Sequence, residues 1–115
     1  MFEIKIIKDK LPKEELEEIA KNNFGEMVKA MVDIDKKIFA VGGELHADAM
    51  ERIVEDGSNP NNTWGINIYP NKPEIEWIEF NSLMNIRPGQ NNFSLEVENP
   101  EIREKIRKII KDLIV

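Results

Sequence analysis

Residues 28–41 have the sequence VKAMVDIDKKIFAV. In the first half, small or branched apolar residues fall at every second position, which is typical of a strand with one buried face. The polar turn Asp35-Lys36-Lys37 ends this pattern, and a second apolar run extends to Val41. Two such runs joined by a short polar turn predict a β-hairpin. Gly42 and Gly43 mark its exit or a bulge, where the backbone takes an unusual conformation or approaches another segment closely.

Apolar periodicity predicts the elements on either side of this hairpin. Alternation at every second residue predicts strands at residues 2–7, 63–69, 75–87, with a bend at Ser82, and 93–97. Helical spacing of apolar residues predicts a helix that begins at Pro12 and ends at Gly25, and helices over residues 47–55 and 100–113. For residues 47–55 the alternative of a strand stays open.

These elements follow one another in the order β-α-β-β-α-β-β-β-α. Most strands are joined by short turns, which suit antiparallel neighbours, so the expected fold class is α+β with a mainly antiparallel sheet. We expect the helices to pack on one face of this sheet. A length of 115 residues matches one domain, and we predict that residues 1–115 form it.

The charge of the chain argues against nucleic acid as a partner. The formal net charge is −6 and the pI is about 4.9, whereas binding to a phosphate backbone requires a clustered basic surface. Residues 99–115 are locally basic, with five Lys and Arg against three acids. A toxin-like or nucleic-acid-acting domain is therefore the lowest-ranked alternative, and we expect no nucleic-acid partner.

Two absences bear on compartment and chemistry. The chain contains no cysteine, which removes disulfides, thiolate metal sites and thiol nucleophiles. Charged residues interrupt the apolar N-terminal run at Glu3 and Lys5, so the sequence predicts neither a signal peptide nor a membrane span. We therefore expect a cytoplasmic protein without a membrane partner.

One stretch gathers side chains that serve proton or metal chemistry. Residues 42–48 read GGELHAD and contain the only histidine of the chain, His46, between Glu44 and Asp48. In an extended backbone these three side chains project from one face, where the carboxylates could orient the imidazole as a general base. They are our candidate catalytic residues. If a helix begins at Ala47 instead, Asp48 stabilises its first turn and the stretch is structural.

The same stretch predicts no defined metal site or cofactor. One histidine and no cysteine exclude the common zinc sites and the site of two histidines and one carboxylate. A carboxylate site for Mg²⁺ or Mn²⁺, with at most one histidine, is the surviving hypothesis. Nucleophile and nucleotide motifs are missing as well, since the chain has neither a Gly-x-Ser-x-Gly elbow nor a Walker or dinucleotide pattern of glycines.

A second set of candidate residues lies along the predicted central strands. Amides, aromatic rings and one cation share the polar side of these strands: Asn67, Tyr69, Trp77, Asn81, Asn85 and Arg87. Pairing of two antiparallel strands would gather them into one patch, suited to a small polar ligand or a protein partner. The alternative is an ordinary half-exposed sheet face with Trp77 covered by a helix.

Several segments resemble those of a known family. They are residues 40–48, the run WGINIYP at residues 64–70, and the runs WIEFNS and NIRP within residues 77–88. In these segments, and in the helix at residues 100–113, the chain is similar to a family of small uncharacterised bacterial and archaeal proteins, a domain of unknown function. The resemblance implies a single-domain protein and carries no activity, cofactor or catalytic residue.

The leading interpretation is a small binding or protein-interaction domain that self-associates, because the chain has few catalytic side chains. Its contact surface would be the polar strand face or the acidic residues 44–57. The alternative is a small enzyme, a hydrolase or a metal-assisted one, with His46 as base. Glu44 and Asp48 would orient the imidazole or bind the metal, and Arg87 would act as an electrostatic clamp. Such an enzyme needs His46 in a pocket with one of these three groups in hydrogen-bond reach.

Overall fold

An antiparallel sheet with helices on both faces forms the described part of the chain, residues 2–115 of a computed structural model. Its strands are β1 (Ile4–Ile7), β2 (Val28–Asp33), β3 (Ile38–Gly42), β4 (Thr63–Ile68) and β5 (Ile78–Glu79). Its helices are α1 (Lys13–Lys21), α2 (His46–Glu55) and α3 (Pro100–Leu113). Short 3-10 turns lie at Pro60–Asn62, Glu74–Glu76, Leu83–Asn85 and Pro88–Gln90.

The hairpin of β2 and β3 stands at the centre of the sheet, whose strand order is β1-β3-β2-β4-β5. Every strand pair is antiparallel, which confirms the predicted α+β fold class. In the hairpin turn, the buried carboxylate of Asp33 accepts the backbone N–H groups of Asp35 and Lys36 at 2.9 and 3.0 Å. Gly42 leaves the hairpin with φ of +110°, and a Cβ atom there would lie 2.1 Å from the carbonyl oxygen of Glu3.

The two faces of the sheet carry different helices. On one face, the side chains of β2 and β4 that include Val32 and Trp64 pack against α1 and α3. On the other face, Met31 and Ala40 pack against α2 through Ile53. The prediction that all helices share one face was therefore wrong for α2. Both faces of the central hairpin are apolar, so each face requires a covering layer.

The C-terminal half of the sheet is shorter than the alternation predicted. Of residues 75–87, only Ile78–Glu79 form a strand, and residues 93–97 contribute one isolated bridge, between Asn81 and Glu96. The prediction of two further full strands was wrong because polar side chains bind the backbone here instead of a neighbouring strand. Ser82 illustrates this competition, since its hydroxyl accepts the N–H of Met84 at 3.1 Å and starts a turn.

Asn85 fixes this irregular region, residues 80–97, against β4. Its buried amide oxygen accepts the N–H of Gly65 at 2.8 Å, and its amide nitrogen donates to the Gly65 carbonyl at 2.9 Å and to the Leu95 carbonyl at 3.0 Å. The side chain thus occupies the position of a neighbouring strand's backbone. Gly65 permits this approach, because a Cβ atom there would lie 2.4 Å from Cβ of Ser82.

Asn92 completes the hydrogen bonding inside the 80–97 segment. Its buried amide nitrogen donates to the carbonyl oxygens of Asn85 and Glu96, both at 2.7 Å. Its amide oxygen accepts the N–H of Glu98 at 2.9 Å. Phe80 and Val97, near the two ends of the segment, lie in the core beneath α1 and α3, whereas Met84 packs on the α2 side. The segment therefore crosses from one face of the sheet to the other.

The residues just before α1 pair with the residues at the end of α3 and beyond it. The N–H of Leu11 donates to the Leu113 carbonyl at 2.7 Å, and the N–H of Val115 donates to the Leu11 carbonyl at 3.0 Å. Leu11 and Ile114 face each other in this short parallel bridge and are both buried. The residues that precede α1 are thereby joined to those that follow α3.

Replacement of Asn85 tests the role of its amide. We expect Asn85→Ala to lower the free energy of unfolding by about 2–4 kcal/mol, because the buried N–H and carbonyl of Gly65 lose their partners. Asn71→Ala is the matched control, since Asn71 lies exposed in a turn. Urea unfolding measures both. Equal losses in the two variants would contradict the role assigned to Asn85.

Candidate functional site

The start of α2 separates the histidine from the two acids that flank it in sequence. Leu45 is extended and His46 is the first helical residue. The carboxylate of Asp48 turns back to accept the N–H of Leu45 at 3.2 Å, a capping interaction typical of a helix N-terminus. Glu44 is exposed, and its backbone carbonyl accepts Nζ of Lys29 at 2.9 Å.

Consequently, the three candidate catalytic residues face two different grooves. Glu44 and Asp48 line a groove with Phe2 and Ile4, whereas His46 lines a cleft on the other side of the helix start. No hydrogen bond within residues 2–115 connects His46 to either acid or to Arg87. Nor do the described residues contain a group of three or more His, Asp and Glu side chains that could hold a metal ion.

The ring of His46 is oriented by a backbone carbonyl. Nε2 lies 2.8 Å from the carbonyl oxygen of Ile66 in β4. A carbonyl can only accept, so Nε2 carries a hydrogen, and in the neutral ring Nδ1 is left with a lone pair. Burial lowers the pKa of His46 below its ordinary value, and this effect is larger than the rise caused by the hydrogen bond to Ile66. The positive charge of Lys29 lowers the pKa further. The ring is therefore neutral at pH 7.

The cleft at His46 lies between the start of α2 and the 80–97 segment and has a volume of about 350 Å³. Its polar lining includes Lys29, His46, Asn67, Asn81 and Ser82. Three leucines form an apolar rim and are unusually exposed: Leu45 at 56%, Leu83 at 77% and Leu95 at 44%. The cleft thus combines apolar walls with a few polar groups, which is the usual composition of a small-molecule site.

Asn67 is one of two buried polar residues in this lining, the other being Ser82. Asn67 is 8% exposed, and its amide nitrogen donates to the Glu79 carboxylate at 2.7 Å. Because a carboxylate needs a donor, this bond fixes the orientation of the amide. The amide oxygen, Oδ1, has no hydrogen-bond partner in the part of the chain that the structure describes. The side chain of Asn67 also interacts with the His46 ring and raises its pKa, a smaller effect than burial.

The other predicted ligand-binding residues are dispersed. Tyr69 shares the Glu79 carboxylate with Asn67, at 3.4 Å from its hydroxyl, and burial followed by this charge raises its pKa. Trp77 is buried in the core and donates Nε1 to the Lys72 carbonyl at 2.8 Å. Asn85 is fully buried against Gly65, and Arg87 lies over the ring of Trp64. The structure brings only Asn67 and Asn81 into the cleft with His46.

The sequence-based reasoning missed the leucine rim. Leu45 stood inside the candidate catalytic stretch, and Leu95 fitted the predicted strand at residues 93–97. In a strand, Leu95 would have shared a face with Phe93 and Val97, whereas here Val97 is buried and Leu95 is exposed. The asparagines and Ser82 were the one available signal, because these residues favour turns that interrupt strands.

A protein family described as protein of unknown function (DUF5674) matches residues 5–113. The chain belongs to this family. The match confirms the resemblance to an uncharacterised family, and the DUF5674 description names no activity, ligand or partner. No curated protein and no solved structure matches the chain. No helix within residues 2–115 has the length and apolar composition needed to cross a membrane.

The lowered pKa of His46 predicts how stability depends on pH. Below the ordinary value of 6.5, the unfolded chain binds the proton more readily than the folded one. We therefore expect the free energy of unfolding to fall as the pH drops through 6.5 toward the folded-state pKa. His46→Gln should lack this component. Urea unfolding of both proteins between about pH 7.5 and about pH 5 measures it, since the carboxylates contribute equally to both. A constant difference over this range would contradict the assignment.

Proposed function

We propose that this protein is a small binding domain and that the cleft between the start of α2 and the 80–97 segment is its ligand site. The observation that carries the proposal is the convergence of Leu45, Leu83 and Leu95 around a buried polar lining. Two segments far apart in sequence expose large apolar side chains at the same place. Such clusters mark binding sites, because a ligand that covers exposed apolar side chains removes them from water and so stabilises the complex.

The size and polarity of the cleft favour a small amphipathic molecule. A volume of about 350 Å³ lies within the range of small-molecule sites. The rim would hold an apolar body, while Nδ1 of His46 offers an acceptor and Lys29 a cationic donor at the polar end. The ligand we propose is therefore an apolar molecule with one polar, hydrogen-bonding end.

The broader expectations from the sequence are part of the same proposal. They are a cytoplasmic location, self-association, and a bacterial or archaeal source. A protein partner would use the same leucine rim, together with the acidic outer face of α2, where Glu51 and Glu55 are exposed. A small ligand and a protein partner differ in the area they cover, because a stable protein interface extends well beyond one cleft.

Mapping of fragment binding by NMR tests the cleft. With benzamide and benzyl alcohol as probes, we expect amide shifts at Ala47, Asn67 and Leu95 in the wild-type protein. Leu83→Ser should reduce these shifts several-fold, because it removes one apolar wall of the cleft. Ile75→Ser is the matched control, since Ile75 is 94% exposed and lies outside this cleft. Shifts that map elsewhere, or that persist in Leu83→Ser, would refute the site.

A second candidate function is hydrolysis with His46 as general base. The observation in its favour is a neutral imidazole, oriented by the Ile66 carbonyl, in a cleft. Because Nε2–H of His46 donates to the Ile66 carbonyl, Nδ1 is left to accept a proton from water. Glu44 and Asp48 face another groove, so this geometry assigns them no role in orienting the base.

An esterase assay distinguishes this candidate from simple binding. With p-nitrophenyl acetate and p-nitrophenyl butyrate as substrates, general base catalysis predicts that His46→Gln lowers kcat/KM by about 100-fold or more. Glu51→Gln, on the exposed face of the same helix, should retain the rate. Absence of wild-type hydrolysis above the buffer rate, or equal rates in all three proteins, would exclude His46 as the base for these esters.

A further inference from the structure

Arg87 is a partly buried cation that forms no ion pair within residues 2–115. Its Nε donates to the Met84 carbonyl at 3.1 Å and its Nη2 to the Thr63 carbonyl. The guanidinium carbon lies 4.5 Å from the ring centre of Trp64. Among the described residues, no carboxylate forms an ion pair with it, and its buried Nη1 has no acceptor. Burial lowers the pKa of Arg87, as expected where no negative charge compensates.

A second donor beside Arg87 is also left without an acceptor. The indole N–H of Trp64 is buried, at 1% exposure of the residue, and it has no hydrogen-bond partner within residues 2–115. Buried donors without acceptors are rare in folded proteins, because each loses its hydrogen bonds to water. Two of them lie on a stacked Arg–Trp pair, and Arg87, unlike Trp64, lines a cavity.

A cavity beside Arg87, which we call the Arg87 pocket, has a volume of about 490 Å³. Its other lining residues are neutral and rich in amides: Asn61, Asn62, Gly89 and Gln90. Nε2 of Gln90 donates to the Asn61 carbonyl at 3.2 Å, which holds the Gln90 side chain at this pocket. In a chain with a net charge of −6, a pocket with one cation and no acid among its lining residues is notable.

We propose that the Arg87 pocket binds a small oxyanion, a carboxylate or a phosphate. The anion would supply the missing acceptor to Nη1 and the missing negative charge to the guanidinium. Arginine is suited to this task because its planar donors match the oxygens of both groups. The side-chain amides of Asn61, Asn62 and Gln90, which line the pocket, would provide further donors, whereas their backbone N–H groups already donate within the chain. The proposal requires side chains around Arg87 to move on binding, because Nη1 is closed to solvent.

This site is independent of the proposed ligand cleft. The two cavities share no lining residue. Benzamide and benzyl alcohol probe the leucine rim and carry no negative charge, whereas an oxyanion addresses Arg87. The proposal for the Arg87 pocket can therefore fail while that for the cleft stands, and the reverse.

Thermal unfolding with sodium phosphate or sodium acetate, against sodium chloride of equal ionic strength, tests the site. An anion at about ten times its Kd should raise the wild-type Tm by roughly 5 °C. Gln90→Glu places a carboxylate at the pocket without removing Arg87. We expect it to raise the Tm in chloride and to abolish the response to the oxyanion. Asn22→Asp makes the same charge change at the exposed end of α1 and should respond like the wild type.

The indole resonance of Trp64 provides a local readout in the same samples. Phosphate or acetate should shift the Trp64 Nε1–H signal in the wild type and not in Gln90→Glu. A response to phosphate alone or to acetate alone identifies the oxyanion class and supports the site. The proposal is overturned if no anion changes both the Tm and the Trp64 Nε1–H signal more than chloride does. It is also overturned if Gln90→Glu responds to the anions as Asn22→Asp does.

Discussion

The paired hydrogen bonds between the Asn85 side chain and the backbone of Gly65 are the constraint on which both candidate sites depend. They replace a strand with a single amide and so allow the 80–97 segment to depart from the sheet. The departure carries Leu83 and Leu95 to the rim of the cleft, and it brings Arg87 back over Trp64. A regular strand in this position would have paired its backbone with β4 and left room for neither cavity.

The second determinant is the apolar character of both faces of the β2–β3 hairpin. Because Met31 and Ala40 need cover, α2 crosses the face opposite α1 and α3. That placement brings the first turn of α2 close enough to β4 for the ring of His46 to meet the Ile66 carbonyl. The chemistry of the only histidine is therefore a consequence of core packing, since burial lowers its pKa and a backbone group orients its ring.

Sequence reasoning succeeded where apolar periodicity governs the structure and failed where single side chains govern it. The hairpin and α3 followed from their patterns, because burial of a whole face stabilises them. The strand prediction for residues 75–97 failed because the side chains of Ser82, Asn85 and Asn92 form hydrogen bonds with the backbone. Apolar periodicity does not reveal such bonds. The trio at residues 44–48 separated because α2 begins at His46. His46 and Asp48 are two residues apart in the helix and point in different directions, and Glu44 precedes the helix. Asn67 lines the cleft, but the cleft around it could not be predicted because it is formed by segments far apart in sequence.

The bridge between Leu11 and Ile114 has a consequence for biosynthesis. A chain leaves the ribosome from its N-terminus, and about a hundred residues separate these two partners, so the pairing of Leu11 waits for nearly the whole described chain to emerge. Contacts this distant along the chain also slow folding in solution, because a long loop must close before it gains stabilising interactions. Until α3 docks, the apolar side chains of the sheet that it covers stay exposed to solvent.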